Sequence, residues 1–147
     1  MKTIRLFSLL ALLVLSSLPS MAQGIKWAAK SVKTQNGFNI EITAVIPDSF
    51  HMYDMGPYSE DGPIAAEIQV IPSGKAALKG KLSAPASHKI DDELYGMKVG
   101  IYEGKVRFVQ EVTGKKGAKV TVKARAQACS GETCLPPREE TITVTLQ

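Results

Sequence analysis

The feature that most constrains this fold is a period-two alternation of apolar and polar residues. Val120, Val122, Ala124 and Ala126 lie on one face of a run whose other face is Lys119, Thr121, Lys123 and Arg125. A strand sends successive side chains to opposite faces, so the run reads as a half-buried strand. Residues 141–146 repeat the pattern, with Ile142, Val144 and Leu146 pointing one way. Residues 25–33, 38–46, 63–71, 77–83 and 105–113 read as further strands. No helical periodicity is found beyond the N-terminal segment. Asn36-Gly37 separates two strand runs and predicts a hairpin, since both residues tolerate positive φ. Gly114-Lys115-Lys116-Gly117, between 105–113 and 118–127, predicts a second. Residues 54–62 and 84–96, rich in Gly, Pro, Asp and Ser, read as irregular loops, and Asp91-Asp92-Glu93 reads as solvated. Many short strands with regular turns imply an all-β protein, a β-sandwich.

The N-terminus carries a different signal. Lys2 and Arg5 precede an apolar run from Leu6 to Leu18, broken only by serines, and Ser20-Met21-Ala22 offers small residues at a cleavage position. This is the pattern of a secretory signal peptide cut after Ala22. The run is about 13 residues, short of the roughly 20 that span a bilayer. The expected organisation is a signal over 1–22 and one domain over 23–147, with no membrane span after cleavage. Residues 1–22 hold two of the 18 basic residues and none of the 14 acidic ones, so without them the net charge falls from +4 to +2. The remaining lysines are scattered and lack interleaved aromatics, which argues against nucleic acid as a partner.

Export gives the cysteine pair its meaning, because disulfides persist outside the cytoplasm. Gln127-Ala128-Cys129-Ser130-Gly131-Glu132-Thr133-Cys134-Leu135-Pro136-Pro137 lies between two predicted strands. Four intervening residues allow a tight loop to join the sulfurs, and Gly131 eases the turn. A disulfide across so short a loop stabilises by only about 2 kcal/mol, little use as a staple between sheets. Exposed disulfides in turns are the exchangeable ones. Redox exchange leads on this reasoning, with structural closure and metal binding as the alternatives. Metal would need further ligands. His51 and His88 fit no zinc spacing, while His51, Met52 and Met55 form a soft set suited to copper; packing roles explain each of them equally well. No phosphate loop or serine nucleophile motif is present.

Thiolate chemistry needs nearby positive charge or hydrogen-bond donors. Arg138 and Lys123 or Arg125 supply charge, and Glu132, Glu139 and Glu140 oppose it. Pro136 and Pro137 stiffen the chain after Cys134 and remove two donors. Tyr53 and Tyr95 are candidates to pack over the sulfurs or to serve as ordinary core aromatics.

Cys129-x4-Cys134-Leu135-Pro136-Pro137 resembles the active-site loop of the N-terminal periplasmic domain of the DsbD thiol–disulfide reductase family. Ser49-Phe50-His51-Met52-Tyr53 is similar to that family's aromatic segment after its second strand. Asp61-Gly62-Pro63-Ile64 is similar to its Gly-Pro-Ile run, Asp92-Glu93-Leu94-Tyr95-Gly96 to its cap loop, and Tyr102-Glu103-Gly104-Lys105-Val106 to the strand start that follows.

The resemblance implies an immunoglobulin-like β-sandwich with an active-site subdomain and a cap loop, in the periplasm. It implies that Cys134 exchanges with partner thiols through a mixed disulfide that Cys129 resolves. It also implies that Asp92, Glu93, Leu94, Tyr95 and Gly96, with His51 and Tyr53, shield the sulfurs until a partner arrives. Leu94 stands where the family has an aromatic, and the cysteine spacing is one residue shorter than is common there. The family protein continues into a membrane domain and a thioredoxin-like domain, whereas this sequence stops at Gln147. The expectation is a stand-alone, monomeric domain that needs no cofactor and exchanges electrons with separate thioredoxin-like proteins. A non-catalytic immunoglobulin-like binding module with a structural disulfide is the alternative.

Overall fold

The structure is a computed structural model that describes residues 24–131 and 133–147. The signal expected at 1–22 lies outside the described residues, as does Glu132. Eleven strands and no helix make up the described chain: β1 (Lys26–Thr34), β2 (Gly37–Val45), β3 (His51–Tyr53), β4 (Glu67–Pro72), β5 (Ala77–Ser83), β6 (His88–Asp92), β7 (Met97–Tyr102), β8 (Lys105–Thr113), β9 (Lys119–Ala126), β10 (Ala128–Cys129) and β11 (Arg138–Thr145).

They form three antiparallel sheets, ordered β1-β2-β8-β5, β11-β9-β4 and β10-β3-β7-β6. The first two make the sandwich. Alternate residues of β2 (Phe38, Ile40, Ile42, Ala44), β8 (Val106, Phe108, Val112) and β9 (Val120, Val122, Ala126) share one core with Val70, Val144 and Leu146. The alternation read from the sequence is therefore the buried face of each sheet. Gln110 occupies a core position on β8 and is nonetheless 3% exposed. Its amide donates to the carbonyls of Lys79, Gly80 and Glu111. The first two lie where β5 slips register against β8, so Gln110 satisfies the acceptors that the irregularity frees.

The third sheet is small and works on both faces. Met52 and Tyr102 point into the sandwich core, while Tyr53, Val99, Ile101 and Cys129 form a second apolar cluster on the other face. This second cluster is the subdomain.

Three expectations change. The loop expected at 84–96 contains β6, which pairs with β7 from His88↔Ile101 to Asp92↔Met97. Its polar, edge-strand sequence hides it, and β7 hides because burial on both faces erases alternation. Gly114–Gly117 is not a hairpin turn: β8 and β9 belong to different sheets, and the segment crosses between them. The Asn36-Gly37 hairpin forms, with Thr34 opposite Gly37, but only the glycine takes positive φ, at 152°. A side chain there would strike the Val112 carbonyl oxygen at 2.5 Å. Two strand limits also move: β11 begins at Arg138 rather than 141, and β4 starts at Glu67 rather than 63.

Candidate functional site

The site is built on the hairpin that carries the cysteines. Leu135 N–H donates to the Ala128 carbonyl at 2.8 Å, and Ser130 N–H donates to the Thr133 carbonyl at 2.7 Å. These two bonds flank Cys129 and Cys134, which pair as an isolated antiparallel bridge. The cysteines thus face each other at a non-hydrogen-bonded position, where opposed side chains lie closest. Their Cα atoms are 4.0 Å apart and the sulfurs are bonded.

The two sulfurs are not equivalent. Cys129 belongs to β10, pairs with His51 of β3, and is 1% exposed. Cys134 lies outside the sheet, half-buried against the second cluster. Leu135 is half-buried, Pro136 and Pro137 are exposed, and β11 begins immediately after them. With no N–H to donate, the prolines hold the chain out of the ladder between hairpin and strand.

The turn from β6 to β7 packs against the same cluster through Tyr95. Asp92 was expected to be solvated; it is 9% exposed. Its Oδ1 accepts from Leu94 N–H at 2.9 Å and Tyr95 N–H at 3.1 Å, and its Oδ2 accepts from the Tyr53 hydroxyl at 2.8 Å. An Asp folding back on the amides two and three residues on is an ordinary turn former; the buried tyrosine makes it a tether. Tyr95 packs in the cluster with Cys134 and meets Tyr53 edge-on at 5.9 Å. Leu94 is 65% exposed, so Tyr95, not Leu94, is the residue of this turn that packs against the cluster holding Cys129. Glu93 and Gly96 are exposed, and Gly96 contributes the positive φ, 60°, that turns the chain back.

Tyr53 is the hub of the floor. His51 lies edge-on to it at 5.0 Å and Tyr58 at 6.4 Å. Burial, then the hydrogen bond to Asp92, pushes its phenol well above the usual range. Burial lowers the His51 imidazole below its ordinary value, against the pull of Asp92 and Glu103. Strand alternation sends His51 and Met52 to opposite faces, and both Met52 and Met55 belong with the sandwich core. The soft copper set does not converge. Two of the cationic groups weighed for thiolate stabilisation lie elsewhere: Arg125 bonds Glu67 at 3.1 Å, and Lys123 and Glu139 line a groove with them on the outer face of the β4-β9-β11 sheet. Arg138 lines a small crevice with Ala128, Leu135 and Pro136 of the hairpin.

A second polar centre was not foreseen. Asp54 accepts from Gly56 N–H and the Tyr58 hydroxyl on Oδ1, and from Ser87 and Lys89 on Oδ2. Burial alone would raise this carboxyl, but the four donors outweigh it and hold the group well below the usual range. Tyr58 is pushed up to about 12 by burial and by its bond to Asp54, against donation from Gly100. This network pins the 54–58 segment to β6 and β7, the strands that carry the cap.

Residues 21–146 match the family model for the N-terminal part of the thiol:disulfide interchange protein DsbD. The chain belongs to this family. The DsbD N-terminal family is a periplasmic one, and its immunoglobulin-like fold is the one described here. The fold is similar to the reduced DsbD N-terminal domain of Neisseria meningitidis, with 17% identity, 88% of this chain and 90% of that one covered, and a TM-score of 0.52. It is similar to the N-terminal periplasmic domain of ScsB from Proteus mirabilis, with 18% identity, 88% and 49% covered, and a TM-score of 0.58. A third likeness is to the complex between the DsbD and PilB N-terminal domains of Neisseria meningitidis, with 16% identity, 87% of each chain covered and a TM-score of 0.53. No curated protein sequence matches the chain. Among the described residues, no helix is long and apolar enough to cross a membrane.

Proposed function

We propose that this DsbD N-terminal-like domain, exported by its leader into the periplasm, passes electrons between a thioredoxin-like donor and oxidised partner proteins through Cys129 and Cys134. The observation that carries the reading is the unequal presentation of two sulfurs in one rigid hairpin. A donor thiolate attacks the half-buried Cys134 sulfur; the Cys129–Cys134 bond breaks and Cys129 leaves as a thiolate. The donor's second thiolate then attacks the donor sulfur of the mixed disulfide. The donor leaves oxidised, and the domain holds two thiols after taking up two electrons and two protons. The reverse sequence reduces an oxidised partner.

The family's role in thiol:disulfide interchange and the complex of one family member with a PilB N-terminal domain both support such a protein partner. The cap makes the reaction partner-dependent: Tyr95 covers the cluster, and its turn hangs from Asp92. The domain is expected to act as a monomer, without a cofactor.

The deciding measurement is the reduction potential of the pair in glutathione or dithiothreitol buffers, read by alkylation and mass. A value between about −120 and −270 mV is expected for an exchange protein. A value below about −300 mV marks a structural bond and favours a binding module instead. In parallel, Cys129→Ala is expected to trap a mixed disulfide through Cys134, and Cys134→Ala to trap none.

A further inference from the structure

The imidazole of His51 has a buried Nε2 with no hydrogen-bond partner. An orphaned buried polar atom loses its hydration without compensation and calls for a reason. Its position supplies one. His51 is the register partner of Cys129 across β3 and β10, so the two side chains share a face, with Cβ atoms about 4.5–5.5 Å apart as in any antiparallel pair. The disulfide leaves Nε2 unpartnered. A Cys129 thiol would offer it an S–H.

We propose that Nε2 of His51 is the proton acceptor for Cys129, and so a third working residue of the exchange reaction beside the two cysteines. This rests on the exchange reading above. When the reduced domain acts, Cys134 as thiolate attacks a partner disulfide, forming the mixed disulfide and expelling the partner's other sulfur as a thiolate. Cys129 must then attack Cys134, and a buried thiol cannot do so while protonated. Nε2 takes the Cys129 proton. The thiolate forms the Cys129–Cys134 bond, the Cys134–partner bond breaks, and the second partner sulfur leaves with its electron pair. The imidazolium passes its proton to a departing thiolate. In the opposite direction Nε2 takes the proton of the attacking partner thiol and returns it to the Cys129 thiolate released on reduction.

The surroundings suit a neutral base. Burial favours the uncharged ring, so its lone pair is free at neutral pH. The groups that bear on it are Tyr53 on its own strand, Asp92 at the end of β6, and Glu103, which follows the β7 residue paired with Met52. The two carboxylates stabilise the imidazolium once it forms, and burial keeps that form short-lived.

The test uses reduced protein and 5,5′-dithiobis(2-nitrobenzoate), which releases one thionitrobenzoate when Cys134 attacks and a second when Cys129 displaces the first adduct. His51→Phe keeps the edge contact with Tyr53 and removes the base. The second release is expected to slow about 10²-fold near pH 6.5, with the first unchanged within about twofold, and the gap to close as pH rises far enough for the Cys129 thiol to ionise unaided. His51→Gln, which can hydrogen-bond but not carry a proton at this pH, is expected not to rescue. Equal slowing of both releases, or of neither, overturns the proposal. If the wild type gives no second release, the exchange reading falls with it. Should His51→Phe fail to fold, the ¹⁵N shift of His51 Nε2 in the wild type decides: it is expected to move between the disulfide and dithiol forms, and an unmoved resonance overturns the assignment.

Discussion

The hydroxyl of Tyr53 donates to Oδ2 of Asp92 at 2.8 Å, joining the floor of the cysteine site to the turn above it across 39 residues of sequence. The other oxygen of Asp92 holds the Leu94 and Tyr95 amides, so one carboxylate fixes both the shape and the height of the cap. Tyr53→Phe removes the tether and leaves the turn intact. The expected loss of stability is about 1–2 kcal/mol, as for a buried hydrogen bond to a charged acceptor. The expected functional sign is opposite: dithiothreitol reduces the disulfide faster because Tyr95 lifts more often. Asp92→Ala removes all three acceptor contacts and should accelerate reduction further. Pseudo-first-order reduction rates for the three proteins check the order; a slower Tyr53→Phe would contradict the tether.

The hairpin bonds on either side of the cysteines predict a site that keeps its shape when reduced. Leu135 N–H to Ala128 and Ser130 N–H to Thr133 do not depend on the sulfurs, and β10 stays paired with β3. The Cys129→Ser/Cys134→Ser protein is therefore expected to fold, with an unfolding free energy lowered by about 2 kcal/mol, the entropy of a very short closed loop. Amide exchange at Leu135 and Ser130 should remain protected. Loss of that protection would show that the disulfide builds the hairpin rather than the reverse.

Asp54 sets an acid limit. Its carboxyl lies well below the usual range because four donors outweigh the effect of burial. A folded pKa below the unfolded value, about 3.9, means that the carboxylate adds stability above that pH and loses it as pH falls. Urea midpoints should hold level from pH 7 to about 5 and then drop steadily toward pH 2. Asp54→Asn is expected to cost about 2 kcal/mol at pH 7 and to flatten the acid limb. An unchanged limb would place the acid sensitivity elsewhere.

The fold was legible where burial is one-sided. Val120 to Ala126 on β9 and Ile142 to Val144 on β11 alternate because one face meets the core and the other meets solvent. It was illegible where both faces are covered: Val99, Gly100, Ile101 and Tyr102 are all buried, and a strand between two clusters shows no period. The two glycine-bearing turns differ for another reason. Asn36-Gly37 joins neighbours in one sheet, whereas Gly114–Gly117 joins two sheets, and local turn chemistry carries no information about which. Within the site the cysteines were visible from spacing and Asp92 only through the family resemblance; its burial and its bond to Tyr53 were not visible, because a carboxylate in Asp-Asp-Glu reads as solvated until a tyrosine 39 residues away meets it. Asp54 was hidden in the same way, since its partners Ser87 and Lys89 come from a distant loop and strand.

Gly100 is the point where that second network can be broken by a single methyl group. It is buried on β7, and a Cβ there would overlap Asp54 Oδ2 and Ser87 Oγ. The carboxylate has no room to yield, because Gly56 and Tyr58 fix one oxygen while Ser87 and Lys89 fix the other. Gly100 N–H also donates to the Tyr58 hydroxyl at 3.0 Å, so displacing the strand would break that bond as well. Gly100→Ala is expected to destabilise the domain by about 3 kcal/mol, the upper range for overpacking a rigid site. If the clash with Asp54 is the cause, shortening the side chain relieves it: Gly100→Ala/Asp54→Ala should lose clearly less than the sum of the two single variants, with a coupling of about 1 kcal/mol or more. Urea unfolding of the four proteins at pH 7 measures the cycle. Strict additivity would mean that Gly100 is required by the strand's own backbone and that the Asp54 network tolerates it without needing it.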